Sequence, residues 1–417
     1  MSEPALTGSR PMPIDRRSLR LMAAGIALVL AAVGIGVALR GWQHRPALWG
    51  LPFWQVTYGE GFIRRGLVGT IFQGLAGGLS AAAQGRAVVT IAHVLLAALV
   101  VGFAAWIGIL AARATSTTHA LVLGLLALPI VGSSLFPTLA FTPGYLDVVT
   151  LGVALGCAAL LARGWILPAG ALAALAPFIH EMFIDLWIPL AVLGWAVLRR
   201  QGDGRPGWRA VLGLGAPFVT TLAVVIASSA TAAQLEVARH VTGTGAFKLT
   251  LLHQQFTQTL SSTVPRMEHI QRAYWWPTEP FALLYFCWPA ILVAALYLTW
   301  RRAQLDRWAR ASLLLAVVCP WLMLIVAWDL SRLIVLSNAL VLIVVLGLET
   351  GLVGEPFVRV RPAALAGLAA AGVFAMALPF LYANFDLYNT YHRTHGPLAW
   401  DLMPVLHPIL ARMFHLA

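Results

Sequence analysis

The stretch AVVTIAHVLLAALVVGFAAWIGILA, residues 87–111, contains no Lys, Arg, Asp or Glu. About 20 apolar residues in a helix cross the roughly 30 Å hydrocarbon core of a bilayer, so this stretch predicts a transmembrane helix. The whole chain has the same character: of its 417 residues 60% are hydrophobic and 11% are charged, and its mean hydropathy is +0.81. Soluble domains carry about 25% charged residues. The sequence therefore predicts an all-α, polytopic transmembrane helix bundle and excludes a water-soluble fold.

Apolar blocks separated by Arg, Pro and Gly clusters predict about eleven spans. They lie at 19–39, 87–111, 119–136, 145–162, 165–179, 182–198, 210–230, 280–299, 311–327, 331–348 and 363–383. The block at 19–39 is longer than a signal-peptide core, and we expect it to be a retained first span. The block at 165–179 is short and contains Pro168 and Pro177, which favours a broken or tilted helix.

The predicted spans form one transmembrane domain, residues 1–383, followed by a short tail at 384–417. Two segments between spans, about 40–86 and 231–279, are too long to be simple connections. Within the first of them, the apolar, Gly-rich residues 66–80 predict a helix that lies in the membrane interface.

The net charge of +12, from 28 Lys and Arg against 16 Asp and Glu, is interpreted as a signal for membrane orientation. No basic run with interleaved aromatic residues lies in a hydrophilic segment, so no nucleic-acid partner is expected. The arginine clusters at 199–209 and 301–310 fall on the same side as the N-terminus if 165–179 crosses. Because basic ends are cytoplasmic, we expect a multi-pass protein of a bacterial inner (cytoplasmic) membrane, with both long segments and the C-terminal tail outside.

Ionisable groups are costly at membrane depth, which makes their positions informative. One cluster lies in the first long segment, at residues 58–66, YGEGFIRRG. Flanking glycines let a backbone approach a ligand closely, and arginine forks suit a phosphate. We therefore predict a carboxylate base at Glu60 beside a phosphate site at Arg64 and Arg65. The alternative is an i,i+4 ion pair between Glu60 and Arg64, with Arg65 on lipid headgroups.

Two further pairs of polar residues lie at predicted span starts. Tyr145 and Asp147 begin one span, where an acid is either functional or simply stabilised by the helix dipole. Asp329 and Arg332 stand at i,i+3 before another span, as substrate contacts or as a helix-start ion pair.

The dipeptide His180-Glu181 precedes a predicted span, and Asp185 follows one turn later. His180 and Glu181 are candidates for phosphate binding or proton relay, and a hydrogen-bonded interfacial pair is the alternative. On the predicted topology all these groups share the outer face. We therefore expect the turns at 179–182 and 328–331 to converge with the two earlier clusters on one outward-facing cavity.

An internal N-terminus, a long first outer segment with an acid and an interfacial helix, a second acid at the outer start of a later span, and about eleven spans together resemble the GT-C superfamily of integral membrane glycosyltransferases. The resemblance is architectural and covers most of the chain. It implies an inverting enzyme that moves a sugar from a polyprenyl-phosphate donor to an acceptor on the outer face, with catalytic roles for Glu60 and Asp147. Substrate-binding roles are then expected for Arg64, Arg65, Tyr145, His180, Glu181, Asp329 and Arg332.

Two features depart from the GT-C pattern. The acid of the first outer segment, Glu60, is Glu where Asp is more usual, and no soluble C-terminal domain is expected, which favours a compact monosaccharide transferase. No cofactor is assigned with certainty, and a divalent metal ion stays open. The expected partners are a lipid-linked sugar donor, a glycan or lipid acceptor, and membrane lipids.

Two other function classes fit part of the pattern. A secondary transporter or a flippase of an anionic or lipid-linked substrate also holds charges in a membrane cavity, but such sites usually lie near the midplane and between inverted repeats. An acyltransferase or a lipid-phosphate enzyme would use an interfacial histidine and acid, as at His180 and Glu181. No phosphate-binding loop, dinucleotide fingerprint or nucleophile elbow is present in the sequence. A sugar-transfer assay with a lipid-linked donor separates these classes.

Overall fold

A computed structural model of the chain describes mainly its N-terminal half. The described residues are 15–41, 50–114, 116–132, 136, 139–140, 143–201, 207–228 and 367. Helices make up 83% of this part of the chain, and no strand forms within it. The predicted all-α class is thus confirmed for these residues.

The helices agree with the apolar blocks of the sequence. They are α1 (Arg16–Gly41), α2 (Gly66–Ala76), α3 (Ala81–Ala112), α4 (Thr117–Gly132), α5 (Asp147–Ala162), α6 (Ile166–Leu175), α7 (Phe183–Gln201) and α8 (Trp208–Ala227). Short 3₁₀ helices lie at Leu51–Trp54, Tyr58–Glu60 and Ala176–Phe178. Each predicted span between 19 and 230 coincides with one α-helix, and α2 is the helix predicted within 66–80. The predictions at 280–299, 311–327, 331–348, 363–383, 231–279 and 384–417 lie outside the described residues, apart from the helical Gly367.

In the described part of the chain, α1, α3 and α8 are long and apolar enough to cross a membrane by length and composition. Large apolar side chains are exposed along α1, including Leu21 and Leu28, and along α8, including Val219, Leu222 and Ile226. Contact with water would make such exposure unfavourable, whereas contact with lipid would not. These features are compatible with an integral membrane protein.

The helices run alternately between two ends of the bundle. At the Leu19 end, the first turns of α1 pack on the end of α3 and the start of α4 through Leu19, Ala23, Ala111 and Ala120. The opposite end, which we call the Trp54 end, holds Leu51–Trp54, the first residues of α5 and the turn after α6 in one buried cluster. The chain therefore leaves the Trp54 end along α5 and returns to it along α6.

The block at 165–179 forms one short helix that ends in a 3₁₀ turn, so the predicted break is not present, and a tilt stays a prediction. Helix α6 has 10 residues and passes into the 3₁₀ helix Ala176–Phe178, which contains Pro177 near its start. Ten residues rise only about 15 Å. Close packing against α8 holds this short helix, because a Cβ on Gly170 would lie 2.0 Å from the carbonyl oxygen of Gly213. Only glycine at this position allows the two backbones to approach so closely.

Candidate active site

Three segments that are distant in sequence meet at the Trp54 end. The Trp54 indole N–H donates a hydrogen bond of 2.7 Å to the carbonyl oxygen of Gly144. The rings of Phe53 and Tyr145 lie 6.5 Å apart, and Ile179 packs in the same buried cluster. The predicted convergence of the first long segment, the start of α5 and the turn before α7 is thus present. The fourth predicted element, the turn at 328–331, lies outside the described residues.

The turn before α2 has an unusual backbone that fixes where the arginines lie. Gly61 has φ +123°, which glycine adopts without strain, and Arg65 has φ +65°, which is uncommon for a residue with a Cβ. A Cβ on Gly66 would lie 2.5 Å from the Tyr58 ring, and one on Gly69 would lie 1.9 Å from the carbonyl oxygen of Val56. The glycines at 66 and 69 therefore allow α2 to pack closely against the preceding turn.

Aromatic rings hold the turn that contains Glu60. The Tyr58 ring stacks on Phe62 at 5.5 Å, and Phe62 meets Phe178 edge to face at 6.1 Å. Burial raises the pKa of the Tyr58 hydroxyl to about 12, so this group stays protonated. The backbone of Glu60 ends the 3₁₀ helix Tyr58–Glu60, and Gly61 N–H donates to the Tyr58 carbonyl at 3.2 Å. The side chain of Glu60 lies outside the described part, as do Asp329 and Arg332 entirely.

A buried ion pair joins the first segment to the turn before α7. Arg65 donates from Nε to Glu181 Oε2 at 2.8 Å and from Nη2 to Oε1, so the carboxylate is held by both arms of the fork. Arg64 Nη1 lies 3.8 Å from the same Oε1, and Glu181 is 8% exposed. The guanidinium carbon of Arg65 lies 4.9 Å from the centre of the Phe53 ring, at a cation–π distance. Glu181 therefore occupies the Nε and Nη2 edge of Arg65, and contact of Arg65 with lipid headgroups stays an untested alternative.

Glu181 balances the positive charge of Arg65. Burial alone would raise the pKa of Glu181, but the charge and hydrogen bonds of Arg65, aided by His180 and Arg64, hold that pKa well below its usual range. Burial lowers the pKa of Arg64, and Glu181 opposes this change. Glu181 is therefore the counter-charge of Arg65, and its part in a proton relay stays a prediction.

His180 makes a different contact from the one expected. Its Nδ1 accepts a hydrogen bond of 3.2 Å from the backbone N–H of Met182. The distance from Nδ1 to Glu181 Oε2 is 3.7 Å, which is too long for a hydrogen bond. With Nδ1 as an acceptor, a neutral ring carries its proton on Nε2. The hydrogen-bonded His180–Glu181 pair is therefore not formed, and the partner of His180 Nδ1 is backbone.

Asp147 and Tyr145 are both buried at the Trp54 end. Asp147 is the first residue of α5 and is 2% exposed. Its position in the first helical turn is favourable for a carboxylate because of the helix dipole. The hydroxyl of Thr150 donates to the Asp147 carbonyl at 2.9 Å and so takes part in the start of this helix. Asp147 thus lies on the element whose preceding residues, Gly144 and Tyr145, contact the first segment.

Two residues at the Trp54 end were not among the predicted site residues. Phe53 contacts both the Arg65 guanidinium and the Tyr145 ring, and its only signal in the sequence is its place in an aromatic stretch before the 58–66 cluster. Asp185 is 6% exposed in the first turn of α7. In the sequence, Asp185 is indicated only by its spacing of one helical turn from Glu181.

No metal centre is formed by the described residues, since no three His, Cys, Asp or Glu side chains among them lie together in a way that could hold an ion. Comparison of the chain with protein-family models, with curated proteins and with solved structures finds no match. The function must therefore be inferred from the chemistry of the residues at the Trp54 end.

Proposed function

We propose that this chain is a membrane glycosyltransferase that moves a sugar from a polyprenyl-phosphate donor to an acceptor on the outer face of the membrane. The observation that carries the proposal is the buried group formed by Arg64, Arg65, His180 and Glu181, with Asp147 on the adjoining helix. Charged groups removed from water are costly and are retained mainly where they serve a substrate. A fixed cationic pair beside carboxylates suits a phosphate leaving group and a hydroxyl nucleophile.

The proposed reaction is an inverting displacement. A carboxylate, Glu60 with Asp147 as the other candidate, removes the proton of the acceptor hydroxyl as its oxygen attacks the anomeric carbon. The bond from that carbon to the phosphate oxygen breaks, and polyprenyl phosphate leaves with the electron pair. Arg64 stabilises the charge that develops on the phosphate.

The contacts of Glu181 refine the roles of the two arginines. Glu181 occupies the Nε and Nη2 edge of Arg65, so this edge is not available to a phosphate. Glu181 is accordingly a positioning residue, and Arg65 would reach the donor through Nη1. Arg64, 3.8 Å from Glu181, is the principal phosphate ligand in this scheme. His180, Tyr145, Asp329 and Arg332 stay proposed contacts of the donor lipid.

The distribution of basic residues supports an outward-facing site. Arg16, Arg17 and Arg20 begin α1, and Arg113 follows α3, so all four lie at the Leu19 end of the bundle. Arg163 follows α5 at the same end. Since Lys and Arg are enriched at cytoplasmic ends, the Trp54 end faces outward in the proposed arrangement of about eleven spans in a bacterial inner membrane.

Cysteine labelling checks this orientation. In a background without Cys157, Cys287 and Cys319, we expect an impermeant maleimide to label Gly78→Cys in intact cells and to label Arg163→Cys only after permeabilisation. Both positions are exposed, and a Cβ on Gly78 has no atom within 4 Å. The reverse pattern would place the Trp54 end in the cytoplasm and would contradict an outer-face reaction.

A transfer assay tests the activity itself. The purified chain, reconstituted in lipid, is expected to release polyprenyl phosphate from a polyprenyl-phosphoryl sugar in the presence of membrane glycans and glycolipids. The Arg64→Ala variant should bind the donor more weakly because the phosphate loses its arginine fork, and Arg64→Lys should restore binding only in part. Transport of an intact lipid-linked sugar across vesicles without release of the carrier would favour the flippase alternative. Acyl transfer or dephosphorylation of the lipid would favour the alternative of an acyltransferase or a lipid-phosphate enzyme.

A further inference from the structure

We infer that Asp185 binds a hydroxyl group of the transferred sugar, an assignment that rests on the proposed function. Asp185 lies in the first turn of α7, directly after the turn that carries His180 and Glu181. It is 6% exposed, and within the described part of the chain its Oδ2 accepts no hydrogen bond. A buried carboxylate oxygen that lacks a donor is a place where a ligand donor fits.

Leaving Asp185 Oδ2 without a hydrogen-bond donor costs free energy of folding, and this cost is the reason to assign a ligand to Asp185. About nine in ten buried polar groups have a hydrogen-bond partner, because an unsatisfied one keeps the full penalty of leaving water. Glu181, one turn earlier, shows the ordinary solution, since Arg65 engages both of its carboxylate oxygens. Glu181 and Asp185 are thus two buried acids on one short segment with different partners. Glu181 is hydrogen-bonded and orients Arg65, whereas Asp185 Oδ2 can still accept a hydrogen bond from a ligand.

The unpaired oxygen decides which part of the donor Asp185 contacts. Asp185 Oδ2 can accept a hydrogen bond, so it suits the hydroxyl donors of a sugar and not the oxygens of an ionised phosphate, which are themselves acceptors. The arginines at 64 and 65 lie on the first segment, whereas Asp185 lies on α7 beyond Glu181. A donor with its phosphate at Arg64 and its sugar toward α7 would satisfy both groups. The transferred sugar, with several hydroxyl donors, is therefore the chemical class that this carboxylate takes.

A purely structural role and a ligand-binding role for Asp185 predict opposite effects of Asp185→Asn on the stability of the protein. A carboxylate in the first helical turn interacts favourably with the helix dipole, so a purely structural Asp185 would make Asp185→Asn less stable. A ligand-binding Asp185 has a buried carboxyl oxygen without a hydrogen-bond donor among the described residues of the empty protein. Its change to a neutral amide should leave the melting temperature of the unliganded protein unchanged or higher, as is common where function is held at the expense of stability.

The test compares two ligands on three proteins in lipid nanodiscs. The proteins are the wild type, Asp185→Asn and the matched control Asp15→Asn, which changes the exposed acid that caps α1 at the Leu19 end by accepting from Arg17 N–H at 2.9 Å. Asparagine caps helices as well as aspartate does. The ligands are decaprenyl phosphate and a series of decaprenyl-phosphoryl hexoses and pentoses. We expect the sugar to strengthen binding to the wild type and to the control.

In Asp185→Asn the sugar-dependent gain in affinity should fall by about 10-fold, the size expected for the loss of a buried hydrogen bond, while binding of decaprenyl phosphate stays unchanged. A sugar-dependent gain retained in Asp185→Asn, or absent from the wild type, would overturn the assignment, and so would a lower melting temperature of Asp185→Asn than of Asp15→Asn. Failure of the wild type to bind decaprenyl phosphate at all would instead overturn the proposed function, and this assignment with it.

Discussion

Changing Glu60 to glutamine is expected to lower the turnover number of sugar transfer by about 10²- to 10⁴-fold, the usual contribution of a general base. Glutamine keeps the size and the hydrogen bonding of the side chain but cannot take the proton of the acceptor hydroxyl. Donor binding should survive, because the arginines that hold the phosphate are unchanged. The measurements are turnover, donor affinity and melting temperature on one purified sample.

Asp147→Asn is the matched comparison, because it makes the same change of acid to amide at the other candidate base. If Glu60→Gln keeps its turnover and Asp147→Asn loses it, the base is Asp147. Activity retained by both variants would end the glycosyltransferase interpretation. An i,i+4 ion pair between Glu60 and Arg64 would show itself differently, as a loss of a few tenths of a kcal/mol in stability with turnover intact.

Glu181→Ala is expected to lower the free energy of unfolding by about 3–5 kcal/mol, because it leaves the buried Arg65 guanidinium without its counter-charge. The double change Arg65→Met with Glu181→Leu should recover most of this loss, since an apolar pair of similar volume avoids the burial of charge. The double variant should still be impaired in donor binding. Arg163→Ala, at an exposed arginine of the Leu19 end, is the control and should stay within about 0.5 kcal/mol of the wild type. A Glu181→Ala protein as stable as this control would refute the buried-pair description.

The Arg65–Glu181 ion pair also predicts how the stability of the protein changes at acid pH. The pKa of Glu181 is lower in the folded chain than its ordinary value of 4.5. The stabilisation from this group is therefore complete above that value and is lost as the pH falls toward the folded pKa. Melting temperatures of the wild type should drop below about pH 4.5, and those of the double variant at 65 and 181 should drop less.

The sequence was informative where a local rule decides the structure. Apolar length predicted α1, α3 and α8, and Pro177 of the 165–179 block lies in the 3₁₀ turn that ends α6. The composition of residues 58–66 singled out the arginines that lie at the Trp54 end. In each case the interactions that decide the structure are with neighbours in the chain or with the hydrocarbon core of the membrane, which is a uniform environment.

What the sequence could not predict was which charges pair. The sequence offered Arg65 a phosphate or lipid headgroups, whereas Arg65 is held by Glu181, a residue 116 positions away. Such a contact depends on the path of α5 and α6, which return the chain to the Trp54 end. The Gly-rich composition of residues 66–80 likewise did not reveal that the glycines at 66 and 69 permit the contact of α2 with the turn at Tyr58 and Val56.

The long separation between Arg65 and Glu181 has a consequence for biogenesis. At about 5–20 residues per second, a ribosome needs roughly 6–23 s to extend the chain by the 116 residues from Arg65 to Glu181. During that time the guanidinium of Arg65 must stay hydrated or be sheltered by the insertion machinery, because its counter-charge has not yet been synthesised. The ion pair therefore forms only after α6 has been made, and a nascent chain stalled before residue 181 would present an unneutralised arginine to the quality-control system.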